Sequence, residues 1–79
     1  MNIEETIISI TANMLGVKDV KLTSAFSKDL GADSIDCIEI LMTIENTFEI
    51  EIEDYMFDGL ELEVFTVADI VNIVEGKLC

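Results

Sequence analysis

The sequence predicts an all-α fold: a small four-helix bundle with a long loop between the first and second helices and a short third helix. Three observations carry that expectation. Apolar residues recur at steps of three and four in three separate stretches. Proline is absent, so helix ends fall to glycine, capping side chains and charge. The 79 residues hold no repeat, linker or low-complexity tract, so residues 1–79 read as one domain. Hydrophobic residues make up 51% of the chain, ample for a core. A domain this small still buries a lesser share of its surface than a large one, so its stability is modest.

Residues 3 to 15 form the first expected helix, with Ile3, Ile7, Ile10 and Met14 as its stripe and Ile8 and Leu15 beside it. Glu4 and Glu5 fall in the first turn, where the helix dipole favours anions, and Gly16 is the stop. Residues 16 to 33 read as a loop, punctuated by Val20, Leu22, Phe26 and Leu30 and therefore packed onto the core. Gly31 permits a turn with positive φ. Residues 34 to 48 form the second helix, with Ile38, Leu41, Met42, Glu45 and Phe48 marking turns, Ile35 and Ile44 widening the stripe, and Asp36, Glu39 and Asn46 on the polar side. Between 48 and 65, "FEIEIE" and "LELEVF" alternate apolar with acidic residues, as half-buried strands do. Pairing them would set Glu49, Glu51 and Glu53 on one face with Glu61 and Glu63, and like charges weaken a strand pair. An extended stretch anchored by Ile50 and Ile52, then a short helix near Asp54 to Leu60, is preferred. Residues 66 to 77 make the last helix, capped by Thr66 with Asp69 in a capping-box position.

Seventeen acids oppose four lysines, with no arginine or histidine, for a net charge of −13. Phosphate backbones and anionic membranes need clustered cations, so neither nucleic acid nor an anionic membrane is expected as a partner. No apolar run is long enough to span a bilayer. A basic protein surface is the complement, and charge of this size speeds encounter with it. The plainer reading is that the acids only keep the domain soluble. Cys37 and Cys79 suggest no disulfide framework, Cys37 reads as a small packed residue, and a reducing cytoplasm fits. Without histidine or a paired-cysteine motif, no metal site is expected.

Ser34 sits in "DLGADSID", between acids and before an apolar helix. In that place serine is a favoured helix N-cap, and Asp33 serves equally well. As a nucleophile it would need a base, yet the chain has no histidine and Cys37 stands where a Ser-x-x-Lys lysine would fall. Seventeen acids make any chosen acid–base pair uninformative. Self-contained catalysis is therefore set aside, which leaves an ordinary helix cap or modification by another protein.

The local motif supports modification. "DLGADSID" followed by "CIEILMTIENTFEIEI" resembles the acyl carrier proteins, and "AFSKDLGADSID", "IENTF" and "FTVADIVNIV" extend that resemblance over most of the chain, in order. The resemblance implies a carrier without catalytic activity. Ser34 would be joined to 4′-phosphopantetheine by a phosphopantetheinyl transferase. The arm would present acyl thioesters to synthase and acyl-transfer enzymes of fatty-acid, polyketide or related pathways. It implies too that Asp33, Asp36, Glu39 and Glu45 meet basic patches on those enzymes, and that Ile35 and Met42 add apolar contact. Ile38 and Met42 read otherwise as core packing. The expected state is a cytoplasmic monomer. "YMFDGLELEVF" looks longer than the family's usual stretch, as a specialised carrier would allow. The rival from another class is an acidic helical adaptor that binds a basic partner and carries nothing.

Overall fold

The computed structural model describes residues 2–52 and 65–78. Within them lie three α-helices, α1 (Ile3–Leu15), α2 (Ser34–Phe48) and α3 (Val67–Leu78). The all-α class stands, but the expected four-helix bundle is corrected to three helices among the described residues. The short third helix near 54 to 60 lies outside the described residues, as does most of the alternative hairpin. α1 packs against both α2 and α3, and an irregular loop ties the entry of α2 to the start of α3.

α1 begins where the Asn2 side chain accepts the Glu5 N–H at 3.1 Å, and ends at Gly16, whose φ of 67° suits a residue without Cβ. Ile7 and Thr11 form its buried line. The Thr11 hydroxyl donates to the Ile7 carbonyl at 2.8 Å, so its burial leaves no orphaned donor. Met14, expected on the apolar stripe, is instead 40% exposed, although it lies on the same side of the helix as Ile7.

The buried side of α2 runs through Cys37, Ile40, Leu41 and Ile44, with Phe48 packed against it. Ile40 and Ile44 are fully buried, and burying such a side chain stabilises by about 1.5–3 kcal/mol relative to leaving it in water. α2 ends at Glu49, whose φ of 55° is the left-handed conformation that non-glycine residues seldom adopt. Beyond it Ile52 is buried and Ile50 packs on the core, as the sequence leads one to expect.

α3 opens with the expected capping box. The Thr66 N–H donates to Asp69 Oδ2 at 2.9 Å, and the Asp69 N–H to Thr66 Oγ1 at 3.3 Å. Val67, Ile70, Val71 and Val74 turn inward. The α1–α2 loop packs as its apolar residues predict, with Val20, Phe26 and Ala32 in the core and Leu22 and Leu30 against it.

Candidate functional site

The start of α2 is set by backbone bonds. Gly31 takes a φ of 71° and donates its N–H to the Ser27 carbonyl at 3.1 Å. The Ala32 N–H then reaches the Phe26 carbonyl at 2.8 Å. Asp33 follows in extended backbone and is the N-cap, its Oδ1 accepting the Asp36 N–H at 2.8 Å. Asp36 Oδ2 accepts the Asp33 N–H in return at 3.3 Å, which completes a capping box. Of the two capping candidates in the sequence, Asp33 therefore takes the role, and Ser34 is the first residue within the helix.

That position has definite electrostatics. The first N–H groups of an α-helix have no carbonyl partner within it, and the dipole places partial positive charge there. Asp33 satisfies the Asp36 N–H, the third in line. An anion joined at the first helical residue would meet this favourable terminus and also two nearby carboxylates, so it would remain hydrated rather than clasped. The neighbours of Ser34 are open: Asp33 and Ile35 are both exposed. A side chain built at Gly31 would meet nothing within 4 Å, so that glycine answers to its φ and not to a close approach. The helix-start donors and the exposed flanking residues fit a phosphodiester-linked group.

The expected recognition residues share α2. At 100° per residue, Ile35, Glu39, Met42 and Asn46 fall opposite the buried line, with Ile38 and Glu45 toward one edge and Asp36 toward the other. Ile35 is 65% exposed, Ile38 56% and Met42 57%. The core-packing alternative for Ile38 and Met42 is thereby corrected. α2 carries two apolar stripes, and the one through residues 37, 40, 41 and 44 is buried. Apolar side chains thus stand among acids on the outer face. Glu45 is half-buried and does more than face solvent, since its Oε2 accepts the Ile52 N–H at 2.8 Å. No sequence pattern signals that bond, because its partner lies beyond the helix.

Cys37, one turn after Ser34, is buried and free. Burial first, then the carboxylates of Asp36 and Asp33, push its thiol above the ordinary value of 9.0. It is thus a packed, protonated thiol and a poor nucleophile. Among the described residues no group of three or more His, Cys, Asp or Glu side chains is arranged to hold a metal ion. Nor is any described helix long and apolar enough to cross a membrane.

Comparison with known proteins points to a family. The family model described as phosphopantetheine attachment site matches residues 5–74. An acyl carrier protein from Prochlorococcus marinus (strain MIT 9515) is 40% identical over 75 residues, covering 92% of this chain and 89% of that one. The solution structure of a "putative acyl carrier protein" from Anaplasma phagocytophilum superposes with a TM-score of 0.80 at 26% identity, covering 99% of this chain and 90% of that one.

Proposed function

The chain belongs to the acyl carrier protein family, and from that membership we propose that Ser34 is the residue joined to its 4′-phosphopantetheine. The protein is a carrier and not an enzyme: the covalent arm supplies the thiol on which acyl groups ride as thioesters through fatty-acid and related acyl-transfer pathways. The adaptor reading, which has no prosthetic group, falls with that membership. One observation supports Ser34 above the others. Asp33 takes the capping role, so the serine stands at the first helical position without being the cap, between exposed neighbours.

Loading is a phosphoryl transfer. The Ser34 oxygen bonds to the pantetheine-side phosphorus of coenzyme A, the pyrophosphate P–O bond breaks, and adenosine 3′,5′-bisphosphate leaves. The serine proton passes to a base of the transferase, because this chain has no histidine to take it. The chain's own contribution is to present the serine. The capping box holds the helix start, and both acids beside it are engaged with backbone N–H groups.

Carriers of this family meet a phosphopantetheinyl transferase and acyl-transfer enzymes. For this chain the docking surface is the outer face of α2. Asp33, Asp36, Glu39 and Glu45 supply long-range attraction to basic patches, while Ile35 and Met42, joined by Ile38, supply apolar contact. Rim charges raise on-rate and set partner choice more than they slow release, which suits a shuttle that leaves one enzyme for the next. The whole of 1–79 acts as one unit, a monomer in the cytoplasm, where Cys37 stays reduced.

Incubation with coenzyme A and a broad-specificity phosphopantetheinyl transferase, read by intact mass, tests the assignment. Wild type gains one adduct and Ser34→Ala gains none. An adduct that persists in Ser34→Ala would show the wrong residue was chosen. Glu39→Lys, on the exposed face and outside the capping box, should raise the carrier KM and leave kcat near wild type; an unchanged KM would remove the docking face.

A further inference from the structure

The loop that leads into α2 also builds the start of α3. The Val67 N–H donates to the Ser24 carbonyl at 3.1 Å and the Ala68 N–H to the Leu22 carbonyl at 2.9 Å, so loop carbonyls satisfy two of α3's first N–H groups. Ala25 and Thr66 form an antiparallel bridge. Next to that bridge the Phe26 N–H donates to the Phe65 carbonyl at 2.8 Å, and the two rings stack with centroids 5.6 Å apart and planes at 26°. Phe26 is fully buried and Phe65 only 2% exposed, so the stack lies within the core.

Phe26 is held from one side and holds on the other. Its carbonyl accepts the Ala32 N–H at 2.8 Å, two residues before Ser34. The turn between them is closed from within. Asp29 Oδ2 accepts the Ala25 N–H at 2.7 Å, and the Ala25 carbonyl accepts the Asp29 and Leu30 N–H groups at 3.0 and 3.1 Å. A continuous path of backbone bonds and one ring stack therefore runs from Phe65, through Phe26 and Ala32, to the cap of α2.

We propose that Phe65 is a positioning residue for Ser34, acting through Phe26 and Ala32 to fix where α2 begins. The proposal rests on the reading of Ser34 as the attachment residue. Its consequence is a split in the kinetics of loading. Docking uses the exposed outer face of α2, whereas Phe65 belongs to the buried core, so KM for the carrier stays. Alignment of the serine oxygen with the phosphorus depends on the helix start, so kcat falls.

The test uses the full chain with coenzyme A and a broad-specificity phosphopantetheinyl transferase, at a temperature where circular dichroism shows every variant folded. Phe65→Leu keeps an apolar side chain and removes the stack. It should lower kcat roughly tenfold, since small misplacements of a reacting atom cost one to two orders of magnitude, with KM unchanged. Hydrogen exchange at the Ala32 amide should quicken in step. Val74→Ala, fully buried within α3, is the control. It should lower the melting temperature and change neither kcat nor Ala32 exchange. The exposed Asp29 gives a second handle should Phe65→Leu fail to fold: Asp29→Ala should lower kcat, and Asp29→Asn, which keeps an accepting oxygen, should restore it. Phe65→Leu indistinguishable from Val74→Ala in both readouts overturns the proposal, as does Asp29→Ala loading like wild type. A wild-type chain that accepts no group removes the Ser34 premise and this proposal with it, whereas a loaded wild type with indifferent variants removes the proposal alone.

Discussion

Replacing Asp33 with alanine takes away the side chain that starts α2. The lost contact is the 2.8 Å bond from the Asp36 N–H to a carboxylate oxygen. Removing an N-cap side chain costs about 1 kcal/mol, up to about 2 in proteins. A negative charge at the helix N-terminus is lost as well, worth about 0.3–1 kcal/mol where exposed. Against this, one acid fewer relieves repulsion with Asp36 and within a chain of net charge −13. The two electrostatic effects oppose each other, so the hydrogen bond decides, and the net loss is about 1 kcal/mol. For a domain of this size that corresponds to a fall in melting temperature of about 4–8 °C. Asp33→Ser keeps a capping oxygen without the charge and should lie within about 2 °C of wild type. Thermal unfolding followed by far-ultraviolet circular dichroism measures both. Asp33→Ala melting with wild type, or Asp33→Ser falling as far as Asp33→Ala, would refute the capping argument.

Other perturbations probe separate parts of the account. The Cys37 thiol ionises above its ordinary 9.0 in the folded chain, so as pH rises past that value the unfolded chain loses this proton first and stability declines. Cys37→Ala should flatten that decline in urea titrations at successive pH values; an identical slope would contradict the burial argument. Native Cys37 should also resist alkylation at neutral pH and react on denaturation, as intact mass would report. Glu45→Ala should lower stability by about 1–3 kcal/mol by stripping the acceptor from the half-buried bond to Ile52. A variant as stable as wild type would make Glu45 a surface charge only. Raising sodium chloride from about 0.01 to about 0.5 M shortens the screening length several-fold. The melting temperature should climb as acid–acid repulsion fades, and a flat profile would sink the repulsion argument.

Helix existence was legible where periodicity and caps agreed. Gly16, the Thr66–Asp69 box and the positive φ at Gly31 are local devices, readable from neighbours in the chain. The loop's apolar residues correctly announced that it packs down. The inward stripe of α2 was not legible, because Ile35, Ile38 and Met42 recur as regularly as Cys37, Leu41, Ile44 and Phe48. Only the neighbouring helices choose between the two lines. The same reason hid Thr11, whose hydroxyl makes its own partner within the helix and so tolerates burial. The Phe26–Phe65 stack and the capping of α3 by loop carbonyls join residues about forty positions apart, and no short window of sequence contains both ends. The short helix expected near Asp54 to Leu60 rests on the like charges that a hairpin of the flanking alternating stretches would bring face to face, and no helical period of its own supports it.

Fragmentation mass spectrometry of the carrier purified from its own cells tests the central claim most directly, since it reads both where the arm is joined and where the acyl group rides. The account predicts the phosphodiester on Ser34 and the acyl group on the arm's thiol. An arm on any other serine or threonine, or an acyl group held by Cys37, would contradict it.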